Sequence, residues 1–500
     1  MRHYTDRQLD DFATPLSIHL ERAAASCDPS RIGWIVSEME QECTVIYDSY
    51  LQWVALLQSF IVKRCGEDAH DEALREQGGF AFREFVAQYA GLGVRQRAEK
   101  LAQRLRASGS TFEVEEDADE IRFVLSRWGA ARLNLPAAGR GESGHRLDYP
   151  CYDAYDAGPR FAKLKAARPL TGGMADLPSF LATEVLFLET LPIAMDGSPI
   201  AAISLPSGPK GAVILTIAKS GSYPASLFER LGFATPQQPC GPVAHGTIFT
   251  ADERDRLATP LSAQVREAAS AEDWSRLTRI AAGMDEELVI AKDPLGILIN
   301  GLLSWIARHL GEAAAVEALE ATADYVMSPY LDWVANVSPV DAIPMWAMVW
   351  RAHGSTMWIE EEDDRFVFRG RPLGACARMS ASRYAATVER ISESRVRYPT
   401  FGSLMAPMCA HKLREPHPVN HFTPDFPVYS AHCTMLHEIF PIDRIGRPLW
   451  VEVHALEDPD GETIHYHYKD PDGWPERFYA QVGREKPAVS DKAAPQPVSP

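Results

Sequence analysis

The chain has 500 residues, of which 46% are hydrophobic, and a formal net charge of −18. This length and composition predict two packed domains of ordinary size. The negative charge and the lack of a Lys/Arg cluster argue against nucleic acid or an anionic membrane as the main partner, because phosphate groups are bound by concentrated positive charge. We therefore expect a small-molecule substrate or ligand.

No apolar stretch is long enough to span a bilayer, which takes about 18 residues or more, and the longest run lies at roughly 296–307. The N-terminus MRHYTDRQLDD lacks the apolar core of a signal peptide. Eight scattered cysteines without a CxxC pair do not form a disulfide framework. These features predict a soluble cytoplasmic protein with reduced thiols.

In the first half, apolar residues at helical spacing predict a helical segment at 29–66. Alternating apolar residues predict a strand pair around 112–125. An irregular Pro-rich stretch, a helix at about 177–190 and a Pro/Gly-rich linker at 235–250 follow. The second half repeats this order.

Helices are predicted at 276–332, strands around 358–368 and a further helix at 427–439. A closing hairpin then runs from LWVEVHAL through the turn Asp-Pro-Asp-Gly to TIHYHY. The Pro/Ala/Ser-rich tail at 486–500 is predicted to be disordered.

The repeated order reflects a repeated sequence. Ala13-Thr14-Pro15-Leu16-Ser17 recurs as Ala258-Thr259-Pro260-Leu261-Ser262, and at the same offset Met39 matches Met284. We therefore predict an α+β protein of two homologous helix-rich domains, each with a small antiparallel sheet, related by a pseudo-two-fold as in an isologous dimer. The boundaries are 1–234 for a degenerate scaffold domain and 251–485 for the functional domain. The result is an intramolecular pseudo-dimer that could also form a homo-oligomer.

The two copies differ in their histidines and cysteines. Ten of the fifteen histidines lie between residues 251 and 470. Ala-His432-Cys433-Thr-Met-Leu-His437-Glu438 stands where the first copy has Ala-Thr-Glu-Val-Leu-Phe-Leu-Glu. Further imidazoles and thiols of the second copy that have no counterpart in the first include His353, Cys409, His411, His454, His465 and His467, the last two aligned with Ile214 and Thr216.

This asymmetry predicts a metal site in the second copy. On a helix, Cys433 and His437 are four residues apart and share a face, so both could bind one ion. His432 and Glu438 flank them, and Cys409 with His411 could add ligands from a second element. Imidazole with thiolate suits zinc or iron. A catalytic ion that activates water or a bound substrate would make the protein a metal-dependent enzyme acting on a small organic molecule.

Other interpretations remain open. Cys433 with an adjacent histidine could be a metal-free nucleophile and its base. Cys376, in Gly-Ala-Cys-Ala-Arg, is a rival thiol, and we include His353 with the two cysteines as a candidate catalytic group. Glu438 could be structural, because Glu189 matches it in the first copy.

The remaining alternatives concern function as a whole. Trp346, Trp350, Tyr429 and Phe426 could line a substrate pocket or be plain core. His465 and His467 alternate with tyrosines and could form the solvated face of an edge strand. The protein could bind a metal or small molecule without turnover, or serve as an adaptor. No nucleotide, nicotinamide or flavin motif occurs.

The order of several helices, a strand pair, a further helix and the hairpin VEVHALEDPDGETIHYHY resembles the small-molecule-binding domains named after 4-vinyl reductase, which share a fold with TRAPP subunits. The resemblance covers the layout of both halves and no specific motif. It implies a hydrophobic pocket enclosed by helices against a sheet. That family carries metal-binding cysteines around a Gly-Asp-Pro turn, whereas here His454 and His465 flank Asp-Pro-Asp-Gly.

Overall fold

The computed structural model describes residues 2–129, 133–134, 161–205, 212–371, 389–397, 411–453 and 462–488. Three sequence-predicted candidates, Cys376, Cys409 and His454, lie outside the described residues, as do the predicted turn at 458–461 and residues 489–500 of the predicted tail.

The fold is α+β. The helices of the first half are α1 (Asp6–Ala13), α2 (Leu16–Ser26), α3 (Ile32–Cys65), α4 (Glu67–Ala73), α5 (Gly79–Ala87), α6 (Val94–Ala107), α7 (Leu181–Val185), α8 (Leu191–Asp196) and α9 (Ala225–Arg230). Those of the second half are α10 (Ala251–Ala258), α11 (Leu261–Ser270), α12 (Trp274–Leu310), α13 (Glu312–Val334), α14 (Ile343–Ala352), α15 (Val428–Thr434), α16 (Phe440–Ile445) and α17 (Glu476–Ala480).

The strands of the first half are β1 (Thr111–Glu116), β2 (Glu120–Trp128), β3 (Leu133–Asn134), β4 (Lys163–Leu164), β5 (Leu177–Pro178), β6 (Ala202–Ser204) and β7 (Val213–Ala218). Those of the second half are β8 (Met357–Glu361), β9 (Arg365–Gly370), β10 (Glu389–Ser392), β11 (Arg395–Arg397), β12 (Lys412–Leu413), β13 (Phe426–Pro427), β14 (Val451–Val453) and β15 (Thr463–Tyr468). The predicted helices and strand pairs occur in both halves, except that the first residues of two predicted helices, 177–178 and 427, belong to the short strands β5 and β13.

Two antiparallel sheets have the same strand order. In the first half the order is β1-β2-β7-β6, with β3 added beside β2, and in the second half it is β8-β9-β15-β14. The strand β15 therefore lies between two neighbours, so the prediction of a solvated edge strand is wrong. Both of its histidines are buried: His465 is 0% and His467 3% exposed.

The strand register also corrects the sequence alignment of these histidines. His465 pairs with Glu452, and in the first half Leu215 pairs with Ile203 at the same place in the sheet. The two histidines thus correspond to Leu215 and Ile217 rather than to Ile214 and Thr216. They stand where the first half has buried aliphatic side chains.

Glycine sets the break between the long helices of each half. Gly66 separates α3 from α4 and has a φ of 88°, while Gly311 separates α12 from α13 and has a φ of 92°. A side chain at either position would be strained, because L residues rarely adopt this backbone region. The most apolar window of α12 is 94% buried inside the fold, as in the core helix of a soluble protein.

The two halves are interlocked. Helix α1 packs on β8 and α14 of the second half, whereas α10 packs on β1 and α6 of the first. Glu361 accepts backbone hydrogen bonds from His3 and Tyr4, at 2.7 and 2.9 Å. Two hydrophobic clusters each contain residues of both halves.

A glutamate of the first half makes the same kind of contact with the segment that leads into the second half. Glu116 accepts backbone hydrogen bonds from Ile248 and Phe249, at 2.6 and 3.0 Å. Glu116 lies 245 positions before Glu361, and Ile248 and Phe249 lie 245 positions after His3 and Tyr4. The two contacts are therefore made by matching positions of the two halves.

Buried ion pairs across the junction are reciprocal too. Arg351 of the second half contacts Glu42 of the first at 2.8 Å, and Arg106 of the first contacts Glu287 of the second at 2.7 Å. Arg351 and Arg106 also donate to the carbonyls of Phe12 and Leu257, respectively. The long helices α3 and α12 pack against each other between these contacts.

Candidate metal centre

A π-helical turn at Met435–Ile439 joins α15 to α16, so that one continuous helix carries the predicted His/Cys segment. The first half has the same π-helical turn at Leu186–Thr190, where the sequence offers no imidazole or thiol. The turn is therefore a feature of both halves and does not by itself mark a site, although such turns are frequent at functional sites.

Three potential metal ligands converge in the second half. The ligand atoms of Cys433, His437 and Glu452 all lie within 4.8 Å of one another, and all three residues are buried. In a tetrahedral zinc site, bonds of about 2.0–2.3 Å place ligand atoms about 3.5 Å apart. A contraction of about 1.3 Å or less between ligand atoms would therefore let these side chains bind one ion.

Glu452 is the potential ligand that sequence reasoning missed. It lies on β14 and pairs with His465 on β15, and its Oε1 lies 3.3 Å from Nε2 of that histidine. This contact orients the carboxylate in the way that outer-sphere partners orient metal ligands. A glutamate between two valines gives no sign of such a role until the neighbouring strand is known.

His432 is placed to deprotonate the thiol. Its Nδ1–H donates to the carbonyl of Tyr429, because a carbonyl oxygen can only accept. In the neutral ring Nε2 then carries the lone pair. Sγ of Cys433 lies 3.5 Å from Nε2 and 3.9 Å from Nδ1, so His432 is a base in direct contact with the thiol.

Burial keeps His437 neutral. Removal from solvent lowers the pKa of His437 well below its ordinary value, and the neighbouring His432 lowers it further. The neutral imidazole is the form that binds a metal. Its ring lies against Trp450, with ring centroids 3.9 Å apart.

The group borders a cavity of about 70 Å³, enough for a molecule of a few non-hydrogen atoms. Two of the predicted aromatic residues, Trp346 and Trp350, line it together with His353. Nδ1–H of His353 donates to the carbonyl of Val349 at 2.7 Å. The neutral ring then has its lone pair on Nε2.

The first half supplies part of this wall. Ser49, Tyr50 and Trp53 of α3 line the cavity, and the ring of Trp53 lies 4.4 Å from that of His432. No local pattern marked these residues, because they lie in the half that has no counterpart of the His/Cys segment at 432–437.

Other predicted ligands point elsewhere. Nε2 of His411 lies 3.0 Å from Glu312 at the start of α13. Glu438 is directed to Gln481 and His421, at 2.8 and 3.3 Å, because consecutive helical residues project about 100° apart. Neither joins the group of Cys433, which agrees with the structural alternative for Glu438.

Two predicted pocket residues also fall outside the cavity wall. Phe426 contacts His421, with ring centroids 6.1 Å apart. Tyr429 lies behind His432 and stacks on Trp53. Two aromatic residues of the second half that the sequence analysis did not single out, Tyr330 and Trp450, also line the cavity.

The corresponding place in the first half has different chemistry. Glu184 stands where the second half has Cys433, and Arg104 binds its carboxylate through two hydrogen bonds of 2.7 and 2.8 Å. Leu188 and Ile203 occupy the positions of His437 and Glu452 and are buried. An ion pair and aliphatic side chains thus fill the place of the candidate metal ligands.

The ligand atoms of three exposed residues, Glu72, Glu76 and His309, also lie within 4.8 Å of one another. The ring of His309 stacks on Trp305, and Glu76 pairs with Arg308 at 3.0 Å. Exposed acidic groups of this kind are common without an ion, so this group serves best as a control.

Comparison with known proteins gives no relative from which a role could be transferred. No protein-family model, curated protein or solved structure matches the chain. The resemblance to 4-vinyl-reductase-type domains therefore stays a prediction. The function has to be inferred from the geometry of the site.

Proposed function

We propose that the protein is a metal-dependent enzyme acting on a small organic molecule, with Cys433, His437 and Glu452 holding one zinc or iron ion. The convergence of these three buried ligand atoms within 4.8 Å of one another is the observation that carries the proposal. A thiolate, an imidazole and a carboxylate form a ligand set suited to either metal.

The cavity favours a catalytic over a purely structural role. Structural zinc sites are closed by four protein ligands, whereas catalytic sites keep a position open for water or substrate. Here three ligands adjoin a cavity of about 70 Å³. A bound ion would supply Lewis-acid activation of a water or substrate oxygen in that position.

The side chains around the cavity have separable roles. His432 receives the proton of the Cys433 thiol, and His465 orients the carboxylate of Glu452. His353 offers a basic Nε2 at the cavity wall for proton transfer with substrate. Trp350 and Trp450 cover the imidazoles and exclude bulk water.

We further infer that the chain is an internal duplicate whose halves are related by a pseudo-two-fold. The reciprocal contacts of Arg351 with Glu42 and of Arg106 with Glu287 support this, as does the equal strand order of the two sheets. Fusion of two copies allows one half to lose its site while its α3 helix still completes the other.

A cobalt titration tests the metal site. Adding Co²⁺ to the metal-free full-length protein should produce a cobalt–thiolate absorption band that saturates at one equivalent. Cys433→Ser should abolish the band, and His437→Gln and Glu452→Gln should weaken binding by about tenfold or more. The matched controls Cys65→Ser and His309→Gln should bind as the wild type does.

Azide then tests the open position. If substrate or water can reach the ion, azide should shift the cobalt spectrum of the wild type. A spectrum unaffected by azide would instead indicate a closed structural site. Absence of the band in folded wild-type protein would contradict the metal proposal.

A second candidate follows from the distance of 3.5 Å between Cys433 Sγ and His432 Nε2. This pair could act as a nucleophile and its base without a metal. Metal-free protein would then lose one thiol to iodoacetamide faster than the others, and His432→Gln would slow that reaction.

A further inference from the structure

A second cavity, of about 350 Å³, lies where the two halves meet. Its volume falls within the range of small-molecule sites, which often form at domain interfaces. Matched residues of the two halves, Leu16 with Leu261 and Met39 with Met284, supply part of its apolar wall. None of its lining residues belongs to the wall of the candidate metal centre.

Most of the charges around this cavity already cancel in pairs. Glu42 is paired with Arg351 and Glu287 with Arg106. Glu40 at the rim is paired with Arg266 at 2.9 Å. These carboxylates are therefore poor candidates for recognising a cationic ligand.

The guanidinium of Arg127 favours an anion. Lys292 and Asp285 also line the cavity, but Lys292 donates to the carbonyl of Ala352 at 2.9 Å. Ser17 donates to Asp285 at 2.9 Å, which satisfies part of that carboxylate. Within the described part of the chain, no ion pair or side-chain hydrogen bond involves the Arg127 guanidinium.

Arg127 also sits where the two halves differ. It extends from β2 toward a part of the wall that the first half alone supplies, with Ser110 and Thr111 beside it. The guanidinium, with its planar set of donors, is suited to bind a carboxylate or sulfonate. The methionine and leucine side chains would cover the apolar body of such a ligand.

We propose that this junction cavity binds a small amphipathic organic acid, with its acidic group on Arg127 and its apolar body between Met39, Met284, Leu16 and Leu261. The site is independent of the candidate metal centre. It would make the interface between the halves a binding site as well as a structural junction.

The probe for this proposal is 8-anilinonaphthalene-1-sulfonate, which combines an anionic group with an apolar body. Titrated into the full-length protein, it should bind with one saturable equivalent and be displaced by octanoate but not by octylamine. Arg127→Gln should weaken binding at least tenfold. Arg122→Gln, on the same strand but paired with exposed carboxylates, should leave binding unchanged.

Leu261→Trp should fill the cavity and block the probe, with circular dichroism used to verify folding. Arg127→Gln keeps the test decisive if Leu261→Trp fails to fold. Equal binding to wild type and Arg127→Gln would overturn the proposal, as would equal displacement by octanoate and octylamine. Unchanged binding to Cys433→Ser would separate this site from the metal centre.

Discussion

The junction between the halves can be tested through Arg351→Met. The guanidinium is 2% exposed and contacts Glu42 at 2.8 Å and Glu38 at 2.6 Å. Replacing it leaves the Glu42 carboxylate buried without its counter-charge. Removing one partner of a buried pair costs about 3–5 kcal/mol, so the free energy of unfolding should fall by that amount near pH 8.

The effect should depend on pH. Burial raises the pKa of Glu42 from 4.5 to about 7, against the opposing influence of Arg351. The folded state therefore holds a proton that the unfolded state releases. Stability due to Glu42 is present at low pH and is lost as pH rises from 4.5 through about 7. That loss corresponds to about 3 kcal/mol.

Without Arg351 the pKa of Glu42 should rise further, so Arg351→Met should be far less destabilising at about pH 5.5 than at about pH 8. Urea unfolding followed by tryptophan fluorescence at both pH values measures this difference. Adding Glu42→Gln to Arg351→Met should restore much of the loss at about pH 8.

The matched control is Arg266→Met. This arginine pairs with Glu40 near the surface, where the two side chains are 56% and 35% exposed, so the loss should stay below about 1 kcal/mol. Equal destabilisation by Arg351→Met at the two pH values, or a loss as small as that of Arg266→Met, would refute the reasoning.

Three further predictions follow. Burial lowers the pKa of His19 to about 4. Its neutral form therefore stabilises the fold above pH 6.5, and this contribution is lost as pH falls toward 4. His19→Gln should reduce that loss of stability in acid by up to about 3 kcal/mol, measured by urea unfolding. Trp53→Ala should lower the free energy of unfolding by about 3–5 kcal/mol, and it should weaken cobalt binding because the ring supports His432. Segments 1–250 and 251–500 should be insoluble when expressed separately, or should associate on size-exclusion chromatography when co-expressed. The reason is that the main hydrophobic cluster contains residues of both segments. Two soluble, folded and unassociated halves would contradict this.

The sequence predicted the elements well because their signals are local. Helical spacing of apolar residues predicted most of α3 and α12, and alternation predicted β1 and β2. The comparison of the two halves of the sequence then directed attention to Cys433 and His437, which the helix does bring together.

The rest of the site depends on contacts that no local pattern encodes. Glu452 reaches the group through the register of β14 with β15, and Trp53 reaches it from the other half. The position of Glu438 next to His437 in the sequence made it a candidate metal ligand. On the helix, however, its side chain is directed toward Gln481. A carboxylate in a strand that pairs with a histidine-bearing strand is the signal that could have identified Glu452.

The most direct test is the metal content of the untagged protein, measured by inductively coupled plasma mass spectrometry on wild type, Glu452→Gln and Glu438→Gln. Both glutamates are buried, so the two variants impose comparable changes. We predict about one zinc or iron per chain in the wild type and in folded Glu438→Gln, and loss of the metal in folded Glu452→Gln. Metal retained by Glu452→Gln, or none in the wild type even after anaerobic reconstitution, would contradict the proposed centre.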